Sequence, residues 1–482
     1  MELNNVKDGR VTDTQVLVVG AGPTGLALAC DLARRGVHTL VVEQSDALFP
    51  GSRGKGLQPR TLEVLDDLGV VDAVIDAGGR APVGMLWENG ERRGEHDMFE
   101  RPGPTEAAPY GEPWLLPQWR TQQILHGRLT ELGGSVTFGT ALTALTQDED
   151  GVTAELTTGT VRAAYAVAAD GGRSLVRRIL GIPMTGESVD PAPMLVADVR
   201  IPALDRLNWH VFPGDGAAFL AVCPLPGTED FQVTGRFSDG VPDISPEGVR
   251  ELIAARTHLT ADDVAEVRWS SDFRPRAALA ERFREGRIFL AGDAAHVHSP
   301  AGGQGLNTSV QDAYNLGWKL GQVLLHGAPE ELLDSYEEER LPVAAQMLGL
   351  STRIHRGEAR RGEATMQLGL GYRGGPLAAG SAGALEAGDR APDGPLPDGR
   401  RIFDLLRGPH FTLLAVGTDA GLPSGDGAVV RCHRIDAYEP YGTGLFLVRP
   451  DGYIGWAGED TAGLADWLRR AGAHGGLDLK RA

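Results

Sequence analysis

The sequence predicts a multidomain α/β protein: a Rossmann-type parallel sheet, interrupted by an antiparallel sheet and followed by a small α/β tail. Three observations carry this. The turn GAGPTG lies between a short apolar run and a helical repeat at residues 15–36. Two later apolar runs, in AYAVAADGG (164–172) and RIFLAGDAA (287–295), each end on an acid. Between them, residues 183–275 hold alternating runs with no second G-x-G-x-x-G.

Taken in order, QVLVVG is a β-branched run of the kind that forms a buried parallel strand. LALACDLARRG then has helical periodicity, so Gly20, Gly22 and Gly25 stand at a strand-to-helix turn, with Pro23 and Thr24 between them. Gly20 suits the tight turn, Gly22 lets a pyrophosphate approach the backbone, and Gly25 lets helix and strand pack closely. Phosphate charge would sit on the helix N-terminus. VHTLVVEQ forms the next strand and ends in Glu43, 18 residues past Gly25. An acid there bonds ribose hydroxyls and repels a 2′-phosphate, which favours FAD or NAD over NADP at this turn. Runs such as MLVADVRI, AAFLAVCPL and FQVTGRF read as antiparallel strands. GLGYRGGPLAAGSAGALEAGDRAPDGPLPDGR (369–400) reads as a loose linker. RPDGYIGW reads as a hairpin turning at Asp451-Gly452.

Composition narrows the function. The chain has 482 residues, 42% of them apolar, enough for two or three domains. A net charge of −19 argues against nucleic acid as a partner. Only four of the 46 basic residues are lysines, a bias without functional meaning by itself. Cys30, Cys223 and Cys432 lie far apart and suit a reducing cytoplasm. The N-terminus MELNNVKDGRVTDT is polar, unlike a signal peptide, and no apolar run reaches the roughly 18 residues of a membrane span. The expectation is a cytoplasmic protein, monomer or homodimer, with no membrane partner. His296 and His298 lie two apart without a completing carboxylate or cysteine pattern, so no metal site is expected and packed histidines are.

The glycine turn, the Asp170-Gly171 segment and the Gly292-Asp293 segment, in this order, resemble the aromatic-hydroxylase group of FAD-dependent monooxygenases, the family of p-hydroxybenzoate and phenol hydroxylases. GSRGKGLQPRTLEVL, LPQWRTQQIL and GDAAHVHSPAGGQGLNTSVQDAYNLGWKL resemble its bacterial members that act on aromatic polyketides. The resemblance implies a discontinuous FAD-binding domain (1–182 and 276–388), an antiparallel β-sheet substrate domain (183–275, joined by 83–99) and a thioredoxin-like C-terminal α/β domain (389–482) without CxxC. It implies FAD as cofactor, NADPH or NADH as transient co-substrate, dioxygen, and a small aromatic substrate hydroxylated through a flavin C4a-hydroperoxide, in antibiotic biosynthesis. It assigns Asp293 to the ribityl chain, Asp170 with Arg173 or Arg177 to FAD and the pyridine nucleotide, and Arg53 and Gln118 to the flavin. The TQQ of this chain, where relatives often have TE, puts no charge at Gln122.

The family reading explains SPAGGQGLN as the loop along the flavin ring, with catalytic candidates Arg53, Pro300, Gly302 and Gly303. Gly302, Gly303 and Gly305 allow a close backbone approach, and Pro300 stiffens the entry. Leu306 and Asn307 open a helix whose amides would face the pyrimidine edge of the flavin, and Leu306, Val310, Leu316, Leu320 and Val323 give it one buried face. Trp87, Trp209, Phe212, Phe219 and Phe231 are candidates to line a flat cavity, with core packing as the alternative for each. Arg236 is a candidate phenolate partner, with an ion pair as its alternative. Two other functions share the motifs: a related flavin monooxygenase performing Baeyer–Villiger, epoxidation or rifampicin-type drug inactivation, and a non-catalytic flavin-binding assembly protein.

Overall fold

The computed structural model describes residues 12–190, 192–216, 218–237, 240–425, 429–473 and 477–478. Thr12–Val19 pairs in parallel with Thr39–Val42 on one side and Gly159–Ala168 on the other. Ile288–Leu290 continues the parallel order beyond Gly159–Ala168, and Val136–Thr137 extends it beyond Thr39–Val42. The helices Pro23–Arg35 and Gly305–His326 pack against each other beside this sheet. All the acid-bearing turns of the sequence therefore open at the same edge, where parallel strands end.

A second sheet of seven strands runs, in spatial order, Glu266–Phe273, Met194–Arg200, Asp230–Arg236, Phe219–Pro224, Asn208–Pro213, Val83–Glu88 and Glu91–His96. Its pairs are antiparallel except one: Asn208–Pro213 runs parallel to Val83–Glu88. The strand reading of 183–275 passed over the helix Pro246–Arg256, which buries Val249 and Ile253 against Leu195, Val199, Leu220, Val222 and Val233. Its start carries a readable signal in Ser245-Pro246: the Ser245 hydroxyl caps the Gly248 amide at 3.0 Å.

The tail is a four-stranded mixed sheet, Val430–Ile435, Phe411–Val416, Gly444–Val448 and Ile454–Gly458. The hairpin at Asp451-Gly452 is present, closed by the Arg449 amide on the Tyr453 carbonyl at 2.8 Å. The stretch 369–400 is not a loose linker. Leu377, Ala382, Ala387 and Ala391 are buried, Ala379 bridges Trp456, and Arg390 pairs with Glu63 at 2.9 Å. Its small residues and glycines serve close packing rather than freedom.

Four buried charges lock the tail to the first domain. Lys319 Nζ donates to Glu339 Oε2 at 2.8 Å, and Arg449 donates to both Glu339 oxygens at 2.6 and 2.9 Å. Asp451 accepts from Arg449, from Trp318 Nε1 at 3.0 Å and from Asn315 Nδ2 at 3.2 Å. Burial pushes the Glu339 carboxyl up, but Arg449 and Lys319 outweigh it and hold the group at about 2. Because the folded value lies below the ordinary 4.5, the stabilisation is complete above pH 4.5 and is lost as pH falls towards 2. Glu339→Gln should lower the unfolding free energy by about 3–5 kcal/mol, as removal of one member of a buried network does. It should also flatten the decline of stability between these pH values; urea unfolding at several pH values reads both effects.

Candidate functional site

The three glycines of the first turn do different things. Gly20 has φ +109°, and a Cβ there would lie 2.4 Å from the Ala169 carbonyl oxygen. A Cβ on Gly25 would lie 2.0 Å from the Gly20 oxygen, so the helix can approach the strand only without one. Gly22 faces open space at the N-terminus of Pro23–Arg35. Pro23 starts that helix, and Thr24 is buried against Gly292. Glu43 reaches back to the same turn: its two oxygens accept the amides of Ala21 and Ser45, each at 3.0 Å.

Asp170 uses one oxygen to cap the helix Leu175–Ile179, accepting from Leu175 at 2.8 Å and Val176 at 3.2 Å. Its other oxygen is buried with no hydrogen-bond partner among the described residues. Arg177 is a strut, donating to the carbonyls of Ala294 and Gly172 at 2.8 and 3.1 Å, while Arg173 is exposed. Asp293 is accessible yet ringed by protein, as a group at the floor of a cleft is. That enclosure pushes its carboxyl up, against the charges of His296 and Arg53. Arg53 itself lies over the Phe49 ring, 5.0 Å from its centre, and is exposed.

The loop from Pro300 leads into the helix Gly305–His326. Pro300 and Gly303 are exposed; Gly302 is buried, and a Cβ there would meet Ile354 at 3.0 Å. Leu306 lies against Gly54, whose amide donates to Gln118 Oε1 at 3.0 Å. Asn307 ties the loop together: it accepts from the Gln58 amide at 2.7 Å and donates to the Gly56 and Gly303 carbonyls at 2.9 and 2.7 Å. Gly305 sits beside His298. The helix departs from the expected single buried face. It is buried all round from Asn307 to Gln322, polar residues included. The reason is Asp312, which accepts the Gly292 amide at 3.1 Å and Arg340 Nε at 2.8 Å and stands 2.5 Å from His296 Nε2. His298 Nε2 lies 3.0 Å from His296 Nδ1, so the two histidines form a chain with an acid. Burial and then the His296 charge lower the His298 pKa to about 3. Gln122 donates to the Phe49 carbonyl at 2.9 Å.

Strand alternation sorts the aromatic candidates. Trp87, Phe212 and Phe231 point to the face covered by Pro246–Arg256 and belong to its core; Trp87 stacks on His258 at 4.2 Å and on Phe212 at 5.5 Å. Trp209 points the other way, packing with Phe99, Leu115 and Cys223. Phe219 shares the parity of Cys223 and lies further along that face, opposite Arg236. Arg236 is already engaged, donating to Asp190 at 2.6 and 3.1 Å. Asp190 lies 3.4 Å from His355 Nε2, and His355 Nδ1 lies 2.9 Å from the Ser299 hydroxyl, so this pair ties the second sheet to the loop before Pro300.

Comparison with known proteins identifies the family. The model of an FAD binding domain matches residues 13–351, and that of the C-terminal region of aromatic-ring hydroxylases matches 385–473. The chain belongs to the FAD-dependent aromatic-ring hydroxylases. It is 44% identical to a flavin-dependent monooxygenase of Mycobacteroides abscessus, over 94% of this chain and 99% of the other. It is 37% identical to the 12-dehydrotetracycline 5-monooxygenase/anhydrotetracycline 6-monooxygenase of Streptomyces rimosus, over 94% and 98%. Its fold matches that of aklavinone-11 hydroxylase, solved with FAD and aklavinone, with a TM-score of 0.80 at 30% identity over 97% and 99% of the chains. As a flavin monooxygenase it uses FAD, a reduced pyridine nucleotide and dioxygen. The residues present fit the flavin: Gly22 leaves room at a helix N-terminus, one Asp170 oxygen has no partner among the described residues, and Asp293 is exposed at the end of a neighbouring parallel strand. Among the described residues no helix is long and apolar enough to cross a membrane.

The sequence passed over several groups on the inward face of the second sheet: Lys55, Asp198, Cys223 and Gln232. Alternation along Asp230–Arg236 would have turned Gln232 away from Phe231, but the approach of Lys55 is set by a loop. Gly22→Ala should leave apo-protein melting unchanged and weaken FAD about tenfold or more, since the new methyl takes ligand space. Gly25→Ala should instead destabilise the apo-protein itself. Thermal melting and an FAD fluorescence titration separate the two.

Proposed function

We propose that this enzyme hydroxylates a flat polycyclic aromatic of the polyketide type in secondary-metabolite biosynthesis. The observation that carries the reading is the joining of two surfaces. Residues 52–58 join the loop before the helix Gly305–His326 to the inward face of the seven-stranded sheet: Gln58 Nε2 donates to the Gly302 carbonyl at 3.3 Å, while Lys55 and Ser52 meet Gln232 beside Trp209. The names of the tetracycline and aklavinone hydroxylases support a fused-ring substrate.

In this reading the residues take the following roles. Glu43 bonds the adenosine ribose, and the amides after Gly20 hold the pyrophosphate with Pro23, Thr24 and Gly25 shaping the turn. Asp293 accepts from the ribityl hydroxyls, and the unpaired oxygen of Asp170 takes a further hydroxyl. Arg53 and Gln118 flank the flavin. Pro300, Gly302 and Gly303 bring backbone along its ring, with Asn307 as the brace. The amides of Gly305, Leu306 and Asn307 have no helical partner and stabilise negative charge on the pyrimidine edge by about 0.3–2 kcal/mol. FAD, reduced by NADPH or NADH, supplies the activation of dioxygen for transfer of one oxygen to the ring. The chain's own contribution is to orient the ring and exclude water.

In this reading residues 1–182 and 276–388 hold FAD, 183–275 with 83–99 roof the substrate, and 389–482 buttress the first domain. The enzyme is cytoplasmic, as a monomer or homodimer, in keeping with three scattered thiols, of which Cys30 and Cys223 are buried.

The test is NAD(P)H oxidation in air by the FAD-loaded protein, with and without polycyclic phenols. Acceleration with little peroxide and a product heavier by one oxygen is expected; peroxide alone, or no acceleration by any ring, overturns the reading. Asp293→Ala should weaken FAD by about 1.5–3 kcal/mol, the worth of a hydrogen bond to a charged group. An unchanged FAD titration removes Asp293 from its role.

A further inference from the structure

Between the flavin loop and the second sheet, two cations share an aromatic wall. Lys55 leaves the loop that also carries Arg53 and Gly54, and its Nζ lies 4.3 Å from the centre of the Trp209 ring, bonded to Gln232 Oε1. Gln232 in turn donates to the Ser52 carbonyl. The Arg361 guanidinium lies over Phe99, 4.9 Å from the ring centre, and Phe99 packs on Trp209 at 6.2 Å. Arg361 forms no ion pair or hydrogen bond among the described residues, and its charge acts on Lys55.

One carboxylate acts on Lys55. Asp198 sits beside Gln232 in the sheet register and is 3% exposed; neither oxygen has a well-formed hydrogen bond among the described residues, Ser52 lying close by. Burial raises its carboxyl to about 6, opposed by Ser52 and Lys55. The remaining neighbour, Cys223, is a buried thiol that burial pushes up to about 11, so it brings no charge at neutral pH. Among the described residues Asp198 is the carboxylate that acts on Lys55, and Arg361 has no ion pair. Burial lowers both the Lys55 and the Arg361 pKa, and the Arg361 charge adds to the effect on Lys55.

We propose that Lys55 and Arg361 form a recognition site for an anionic oxygen on the ring substrate, a phenolate, enolate or carboxylate, with Trp209 and Phe99 as the stacking wall. This rests on the aromatic-hydroxylase reading of the same face of the sheet. A bound anion satisfies the surplus charge with charge-assisted hydrogen bonds. Where that anion is a phenolate or enolate it also enriches the ring carbons beside it in electrons, which suits attack on an electrophilic oxygen. The residues select which ring enters and how it lies.

The test uses oxidised, FAD-loaded protein and three probes of one ring size: 2-hydroxy-1,4-naphthoquinone, ionised at neutral pH, its O-methyl ether, and 2-naphthoate. Binding is read from the flavin absorbance change. The wild type should bind at least one anion about tenfold or more tighter than the ether, and Lys55→Met should erase most of that preference. Arg361→Met should reduce it in part. FAD content and melting temperature identify variants that merely fail to fold. A purely structural Lys55 would shift the affinities of anion and ether alike. Preference for the quinone enolate or for the naphthoate identifies the kind of anionic oxygen. No preference for either anion in the wild type, or an unchanged preference in both variants, overturns the proposal. Oxygen incorporation scores the hydroxylase reading separately: an enzyme that hydroxylates neutral rings as readily as ionised ones keeps that function and loses this site.

Discussion

The buried carboxylate of Asp312 is the fixed point on which the flavin side of this molecule hangs. It is fully enclosed, and burial alone would push its pKa up, but His296 and Arg340 hold it down. Through the Gly292 amide it fixes the turn that presents Asp293. Through His296 it fixes the short strand leading to the Pro300 loop. Through Arg340, which also bonds the Thr308 carbonyl at 3.1 Å and the Tyr372 hydroxyl at 3.0 Å, it joins Gly305–His326 to Asp334–His355. A charge so buried is tolerated only when both oxygens are paired, and here the bonds that pair them also set the position of the loop.

The first half of the site was legible because its constraints are local. A β-branched strand, glycines at fixed offsets and an acid at the next strand end all lie within about 30 residues, the span of one βαβ unit. What lay beyond was hidden for definite reasons. Helix Gly305–His326 carries an apolar stripe, and a stripe suggests one buried face. Its polar face is buried as well, because partners for Asp312, Asn315 and Lys319 come from Arg340, Glu339 and Asp451, far along the chain. The stretch 369–400 is rich in glycine and proline and resembles a tether, yet it is packed; composition alone does not separate a flexible chain from one whose small residues permit close contact.

The second sheet shows how one period-two pattern serves two purposes. Leu195, Val199, Leu220, Val222, Phe231 and Val233 bury a core under Pro246–Arg256. The residues between them, Asp198, Cys223 and Gln232, turn to the opposite face. Counting aromatics could not sort Trp87 and Phe212 from Trp209, since each sits on a strand; only parity relative to a covering helix does so, and that helix was missed.

The hairpin bearing Arg449 and Asp451 has a consequence for anyone rebuilding this enzyme. Its two charges complete a set whose other half, Lys319 and Glu339, belongs to the first domain. The tail is therefore not an interchangeable part. A chimera that imports a foreign tail must import a matching acid and base at the seam, or strand an unpaired lysine and glutamate in the interior beside Trp318.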